Sequence, residues 1–186
     1  MRVALDGADT LPKLLARNAA ATPAGVALRQ KIHGLWKETD WAGYEEAVRE
    51  MALGLLDLGL QAGDVVAVVG DNRAYWLQGE IAIHAAGGLS LGLYRDSLED
   101  EIAWILEHTG ATLVIAEDEE QVDKILPLVG RLPRLRFVVY ADPRGMHKHD
   151  SPHRVPLERL RELGRHRHRR APREYAARVA ARPGDE

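Results

Sequence analysis

The sequence predicts an α/β protein: a mostly parallel sheet flanked by helices, with a β-hairpin ahead of it. Three observations carry the prediction. Between residues 64 and 140, short apolar runs alternate four times with helical periodicity, the pattern of strands joined by crossover helices. Within the run Asp64–Val69, every residue after Asp64 is apolar, as in a strand buried on both faces. Upstream, "VALRQK" (26–31) and "LWKETDW" (35–41) flank the short turn "IHG", a hairpin signal.

The elements follow in order. A first helix is expected over Leu11–Ala21, with Thr10 as N-cap and Pro12 in the first turn, where proline is tolerated. In the helix predicted over 44–59, Ala47, Val48, Met51, Leu55 and Leu58 share helical spacing, and Gly59 is the stop. After the strand at 64–69, Gly70 makes a tight turn into a helix over 73–86, capped by Asp71 or Asn72. "LSLGLY" (89–94) is the next strand. "SLED" (97–100) reads as a capping box, Ser97 accepting and Asp100 pointing back, which opens a helix to His108. A strand over 111–116, a helix over 119–129 and a strand over 135–140 complete the alternation. Beyond Tyr140 the periodicity lapses, and "ADPRGMHKHDSPHRVP" reads as a long loop. "LERLRELG" (157–164) is a short amphipathic helix, "RHRHRR" a solvated charge run, and "APREYAARVAAR" another short helix.

Composition narrows the function classes. With 46% hydrophobic and 28% charged residues, the 186-residue chain is ordinary for a soluble globular protein. It has no cysteine, which excludes disulfides and thiolate nucleophiles or ligands. The opening "MRVALDGADTLPKLLARN" lacks the apolar core of a signal peptide. The expectation is a cytoplasmic protein, with peripheral membrane contact as an extension. Charge is uneven: residues 1–143 carry 13 Lys+Arg against 22 Asp+Glu, whereas residues 144–182 carry 12 against 4. The basic segment is expected to be a solvated face first, and a weak contact for anionic lipid head groups second. Without interleaved aromatics it is not read as a nucleic-acid surface.

No motif supplies chemistry by itself. The turn at Gly70 has one glycine where a dinucleotide fingerprint needs three, and no Lys-Ser or Lys-Thr of a phosphate loop follows. Five histidines lie between positions 147 and 168 (His147, His149, His153, His166 and His168), in a segment poor in the apolar residues that hold metal ligands still. They are read as part of a solvated loop, and no metal is expected. Ser90, Ser97 and Ser151 sit in no nucleophile-elbow pattern, and Asp71 and Glu80 form no recognisable acid–base pair.

The order of segments carries more than any single motif. "NAAATPAGVALRQKIHGLWKETDWAGYEEAV", then "LGLQAGDVVAVVGDNRAYWLQGEIAIHAAGGLSLGLY", resembles the start of AMP-forming acyl-CoA synthetases of the adenylate-forming superfamily. "GLYRDSLEDEIAWILEHTGATLVIAEDEEQVDKIL" and "LRFVVYADPRGM" narrow the resemblance to bacterial long-chain enzymes. The resemblance implies that residues 1–143 are an α/β part of the family's large N-terminal domain, here incomplete. Residues 144–186, basic and histidine-rich, would lead toward a phosphate-binding loop that is not in the sequence. It further implies a parent fatty-acid:CoA ligase using ATP, Mg²⁺ and CoA, none expected to bind tightly to this chain alone, and no catalytic residue within it. Open α/β sheets place ligands at strand C-termini, so Tyr94, Arg95 and Asp96 are the candidates for lining the acyl or nucleotide cleft. The competing expectation is that Arg95 and Asp96 pair with or cap the helix beginning at Ser97. A missing half implies an exposed apolar edge and self-association. The alternative function is a stand-alone, non-catalytic binding or regulatory module whose basic tail meets a partner or membrane.

Overall fold

The computed structural model describes residues 7–148 and 150–181, and His149 and the closing "RPGDE" lie outside the described residues. A two-stranded antiparallel hairpin, β1 (Val26–Ile32) and β2 (Leu35–Asp40), precedes a five-stranded sheet. That sheet runs β4-β3-β5-β6-β7, all parallel: β3 is Val65–Val69, β4 Leu89–Leu93, β5 Leu113–Ala116, β6 Phe137–Tyr140 and β7 Arg154–Pro156. Side chains alternate across each strand and so build two cores. Val66, Val68, Leu113, Ile115 and Val139 face one core, while Ala67, Val69, Val114, Ala116 and Val138 face the other. Helices α1 (Leu11–Ala21), α2 (Trp41–Asp57), α3 (Ala74–Ala86), α6 (Leu157–Arg170) and α7 (Glu174–Ala180) cover the first face. Helices α4 (Glu99–Thr109) and α5 (Glu119–Ile125) cover the second. The α/β class, the parallel sheet and the hairpin are as the sequence predicts.

Several local expectations are corrected. Thr10 takes the N-cap position of α1, but its hydroxyl makes no capping bond and is buried without a partner among the described residues. Helix α2 starts three residues earlier than its hydrophobic period suggests, because Asp40 accepts from the Gly43 amide at 2.8 Å. Neither Asp71 nor Asn72 caps α3; its first amide, at Ala74, donates to Gln30 Oε1 of β1 at 2.8 Å. The "SLED" box is displaced by one residue: Glu101 accepts from the Leu98 amide at 3.0 Å, and Ser97 and Asp100 take no part. Helix α5 stops at Ile125 and gives way to a single 3-10 turn, Leu126–Leu128, around Pro127, which has no amide to continue the helix.

The larger corrections lie beyond Tyr140. The expected loop contains a 3-10 turn, Met146–Lys148, and β7, which pairs with β6 in the register Val138↔Arg154 to Tyr140↔Pro156. The "RHRHRR" run is no solvated coil but the second half of α6. That helix crosses α2 at backbone contact distance. A Cβ at Gly54 would sit 2.1 Å from the Leu160 carbonyl oxygen, and one at Gly164 would sit 1.8 Å from that of Glu50. Around the crossing, Arg161 and Arg165 donate to the buried Glu50 carboxylate at 2.8 and 3.1 Å. Arg170 reaches Asp57 at 3.2 Å, and Arg167 lies 3.7 Å from it.

Arg167 also grips Glu174 of α7 through two bonds of 2.8 and 2.9 Å, with Arg178 adding a third at 3.1 Å. The Arg167 bonds, followed by those of Arg178, hold the Glu174 carboxyl below its ordinary value of 4.5. A depressed folded-state value stabilises the fold above the unfolded value and loses that effect as pH falls through the folded one. Glu174→Gln is therefore expected to flatten the decline of stability below pH 4.5, as measured by urea midpoints across an acid series. Gly164→Ala is expected to cost about 1–3 kcal/mol through overpacking, read as a lower urea midpoint at unchanged slope.

Candidate functional site

Parallel strands bring their C-terminal ends to one edge. From β3 the chain leaves toward β4, on one side, whereas from β5 it leaves toward β6, on the other. The crevice between the ends of β3 and β5 is thus the topological switch point, where open α/β sheets hold their ligands. Gly70 begins it with a φ of +136°, and a Cβ there would meet Tyr75 Oη at 2.1 Å and Glu117 Cβ at 2.5 Å. Only glycine fits. Tyr75 Oη donates to the Val69 carbonyl at 3.1 Å, and burial pushes its phenol far above the ordinary tyrosine value.

Glu117, directly after β5, fills the crevice. It is 7% exposed, and its carboxylate accepts from the Asp71 amide at 2.6 Å and from the Arg73 guanidinium. That bond is the first cause holding the Arg73 guanidinium above its ordinary value. The outer rim is charged as well. Arg95 donates to Asp71 at 3.1 Å and to Glu120 at 3.2 Å, while its own carbonyl accepts from Lys124 Nζ at 3.0 Å. Lys124, then Arg95, lower the Glu120 carboxyl.

The three sequence-predicted residues do come together. Tyr94, Arg95 and Asp96 line an open cleft of about 840 Å³ with Asp71, Trp76 and Glu120. Tyr94 stands 87% exposed. Arg95 neither caps nor pairs with the following helix; it ties the loop after β4 to the loop after β3 and to the first turn of α5. It also walls a second cleft of about 730 Å³, shared with Arg73, Arg144 and the hairpin residues Lys31 and His33. Asp142, accepting from Arg144, is held below its ordinary value there. Two residues of the strand-end region escaped the sequence reading. Glu117 obeys the same strand-end rule that selected Tyr94, and Trp76 lies with its ring against Gly92.

These residues do not fit a polyphosphate. The Asp71 amide is already taken by a carboxylate, and Asp71, Asp96 and Glu120 set three negative charges against Arg95. The histidines are dispersed: His153 Nδ1 bonds the Arg136 carbonyl at 3.0 Å, and His166 and His168 ride on α6. Among the described residues, no three His, Asp or Glu side chains gather as a metal site, and no helix is long and apolar enough to cross a membrane. What the arrangement provides is a wall in which Asp71, Glu117 and Glu120 are paired with Arg95 and Arg73.

Comparison with known proteins defines the class. The family described as "AMP-binding enzyme" matches residues 15–177. The chain belongs to that family. Among curated relatives, the long-chain-fatty-acid–CoA ligases FadD15 of Mycobacterium bovis and Mycobacterium tuberculosis are each 29% identical over 173 residues, covering 93% of this chain and 27% of their own. The chain thus spans about a quarter of the length of these relatives. Among solved structures, an acetoacetyl-CoA synthetase from Streptomyces lividans superposes with a TM-score of 0.71 at 20% identity, over 80% of this chain and 24% of that one. An anthranilate CoA ligase, AuaEII, superposes with a TM-score of 0.66 at 19% identity, over 83% and 26%. At these identities the superpositions show a shared fold.

Glu117→Ala strands the Asp71 amide and the inner bond of Arg73, and is expected to cost about 1.5–3 kcal/mol, the range for bonds to charged groups. Glu117→Gln, which keeps an acceptor, should lose less. Urea unfolding of the two variants side by side checks the order.

Proposed function

We propose that this chain is the N-terminal portion of a long-chain fatty-acid:CoA ligase, catalytically incomplete by itself. In the parent reaction the fatty-acid carboxylate attacks the α-phosphorus of ATP and releases pyrophosphate. The CoA thiol then takes the acyl group and releases AMP. Mg²⁺, a lysine and backbone donors meet the charge that develops in such transfers. The observation that carries the reading is the 93% of this chain covered by relatives named as long-chain-fatty-acid–CoA ligases.

The geometry supports a scaffolding role for this portion. In this reading residues 1–143 belong to the supporting α/β unit, and residues 144–186 lead toward the phosphate-binding loop of the parent. Tyr94, Arg95 and Asp96 form a wall of the substrate cleft. The internal pairing of Glu117 with Arg73 supports the reading that the wall does not hold a nucleotide tightly unaided. Cytoplasmic placement belongs to the same reading.

The test is fatty-acid-dependent exchange of pyrophosphate into ATP. The 186-residue chain is expected to give no exchange above background. A polypeptide translated from the same reading frame continued past Glu186 is expected to give exchange with long-chain substrates. A continued polypeptide, folded by circular dichroism, that shows no such exchange overturns the proposal.

A further inference from the structure

We propose that the tip of the β1–β2 hairpin docks on a lipid bilayer bearing anionic head groups. The inference rests on the hairpin alone and is independent of the ligase reading. The register pairs Gln30 with Lys37, Lys31 with Trp36, and Ile32 with Leu35. Cross-strand partners share a face of the pleat. Lys31 and Trp36 therefore stand on one face, and Ile32, Leu35 and Lys37 on the other with Gln30. Gln30 contacts the body of the protein through the first amide of α3.

Beyond Gln30 the tip projects. Leu35 is 64% exposed, Trp36 65% and Ile32 40%. The turn is tight, with positive φ at His33 (49°) and Gly34 (81°), the backbone of two-residue hairpin loops. A hairpin with bulky apolar groups on both faces has no solvent side. Among the described residues, Leu35 and Trp36, on opposite faces of the tip, are left mostly uncovered.

Charge selects the occupant. Lys31, His33 and Lys37 surround the apolar tip, and the neighbouring carboxylates are engaged elsewhere. Glu38 accepts from Arg29 at 2.8 Å, and Asp40 caps α2. Tryptophan favours the boundary between head groups and acyl chains, and lysines there extend their stems along apolar surface while the ammonium meets anionic lipid. The arginine-rich α6, which the sequence makes the obvious membrane contact, is largely committed: Arg161, Arg165, Arg167 and Arg170 are held by Glu50, Glu158, Asp57 and Glu174. Lys31, Ile32 and His33 also border the cleft at the C-terminal edge of the sheet. Docking through the tip would turn that edge toward the bilayer.

The experiment is co-sedimentation of the full chain with vesicles of phosphatidylcholine mixed with phosphatidylglycerol, and with phosphatidylcholine alone. Binding is expected to the mixed vesicles and to be weak on the neutral ones. The double variants Leu35→Ser/Trp36→Ser and Lys31→Glu/Lys37→Glu are each expected to lower partition by about tenfold or more. An α6–α7 control, Arg169→Glu/Arg173→Glu, should leave it unchanged. All are exposed positions, and circular dichroism verifies that the variants fold. A chain that ignores anionic vesicles, or binds them equally with the tip variants, or loses binding only in the control, overturns the proposal.

Discussion

The backbone contact between α2 and α6 is the constraint on which the first face of the sheet depends. Two glycines let the helices approach until a carbonyl of each lies where the other's Cβ would be. So close a crossing buries Glu50 of α2, and a buried carboxylate without partners would be strongly destabilising. Arg161 and Arg165 supply the partners from the helix that causes the burial. Packing and charge are thus one device: the glycines create the desolvation, and the arginines beside them offset it. Strand β7 follows from the same contact. Three residues ending in proline would hold weakly at a sheet edge by themselves. Pro156 leads directly into α6, so docking of the helix fixes where the strand must lie.

At the strand ends an equivalent economy operates in a smaller volume. A glycine turn followed by a helix amide ordinarily suits an anion, and here the anion is the protein's own. Glu117 takes the Asp71 amide and Arg73, Asp71 takes Arg95, and Arg95 takes Glu120. The chain of alternating charges binds the loops after β3, β4 and β5 into one wall. A wall whose cations are already held by carboxylates does not compete for a phosphate. It can, however, present Tyr94 from a fixed backbone, because the next residue is held by both its guanidinium and its carbonyl.

What was legible in the sequence, and what was not, divides by the distance over which the signal travels. Strands β3, β5 and β6 declare themselves because burial on both faces demands apolar runs, and α2 because its buried stripe is locally periodic. Caps fail where the partner is remote: Gln30 closes α3 from 44 residues away, and no local rule contains it. Helix α6 runs on past the Gly164 at which the sequence predicts its end, because only Leu160 and Gly164 of its fourteen residues are buried, too thin a stripe for a hydrophobic period to show. The cleft residues were found by position, Tyr94, Arg95 and Asp96 following a strand. Glu117 follows a strand too, but its role depends on a glycine that leaves room for it on the neighbouring one.

The asymmetry of charge along the chain illustrates the same division. A basic C-terminal fifth after an acidic body invites a search for an external partner, yet part of that charge is met by the body itself, at Glu50, Asp57 and Asp142. The stripe was written in both helices. Glu50, Gly54 and Asp57 are spaced i, i+4, i+7 on α2, and Leu160, Gly164 and Arg167 repeat that spacing on α6, so each helix carries a glycine midway along one face. A small residue between charges of one sign, matched by a small residue near charges of the other, specifies a close crossing with its own neutralisation. Segmental net charge therefore identifies a partner only after such internal complements have been subtracted. On the hairpin, by contrast, Lys31 and Lys37 flank apolar side chains and have no ion-pair partner among the described residues.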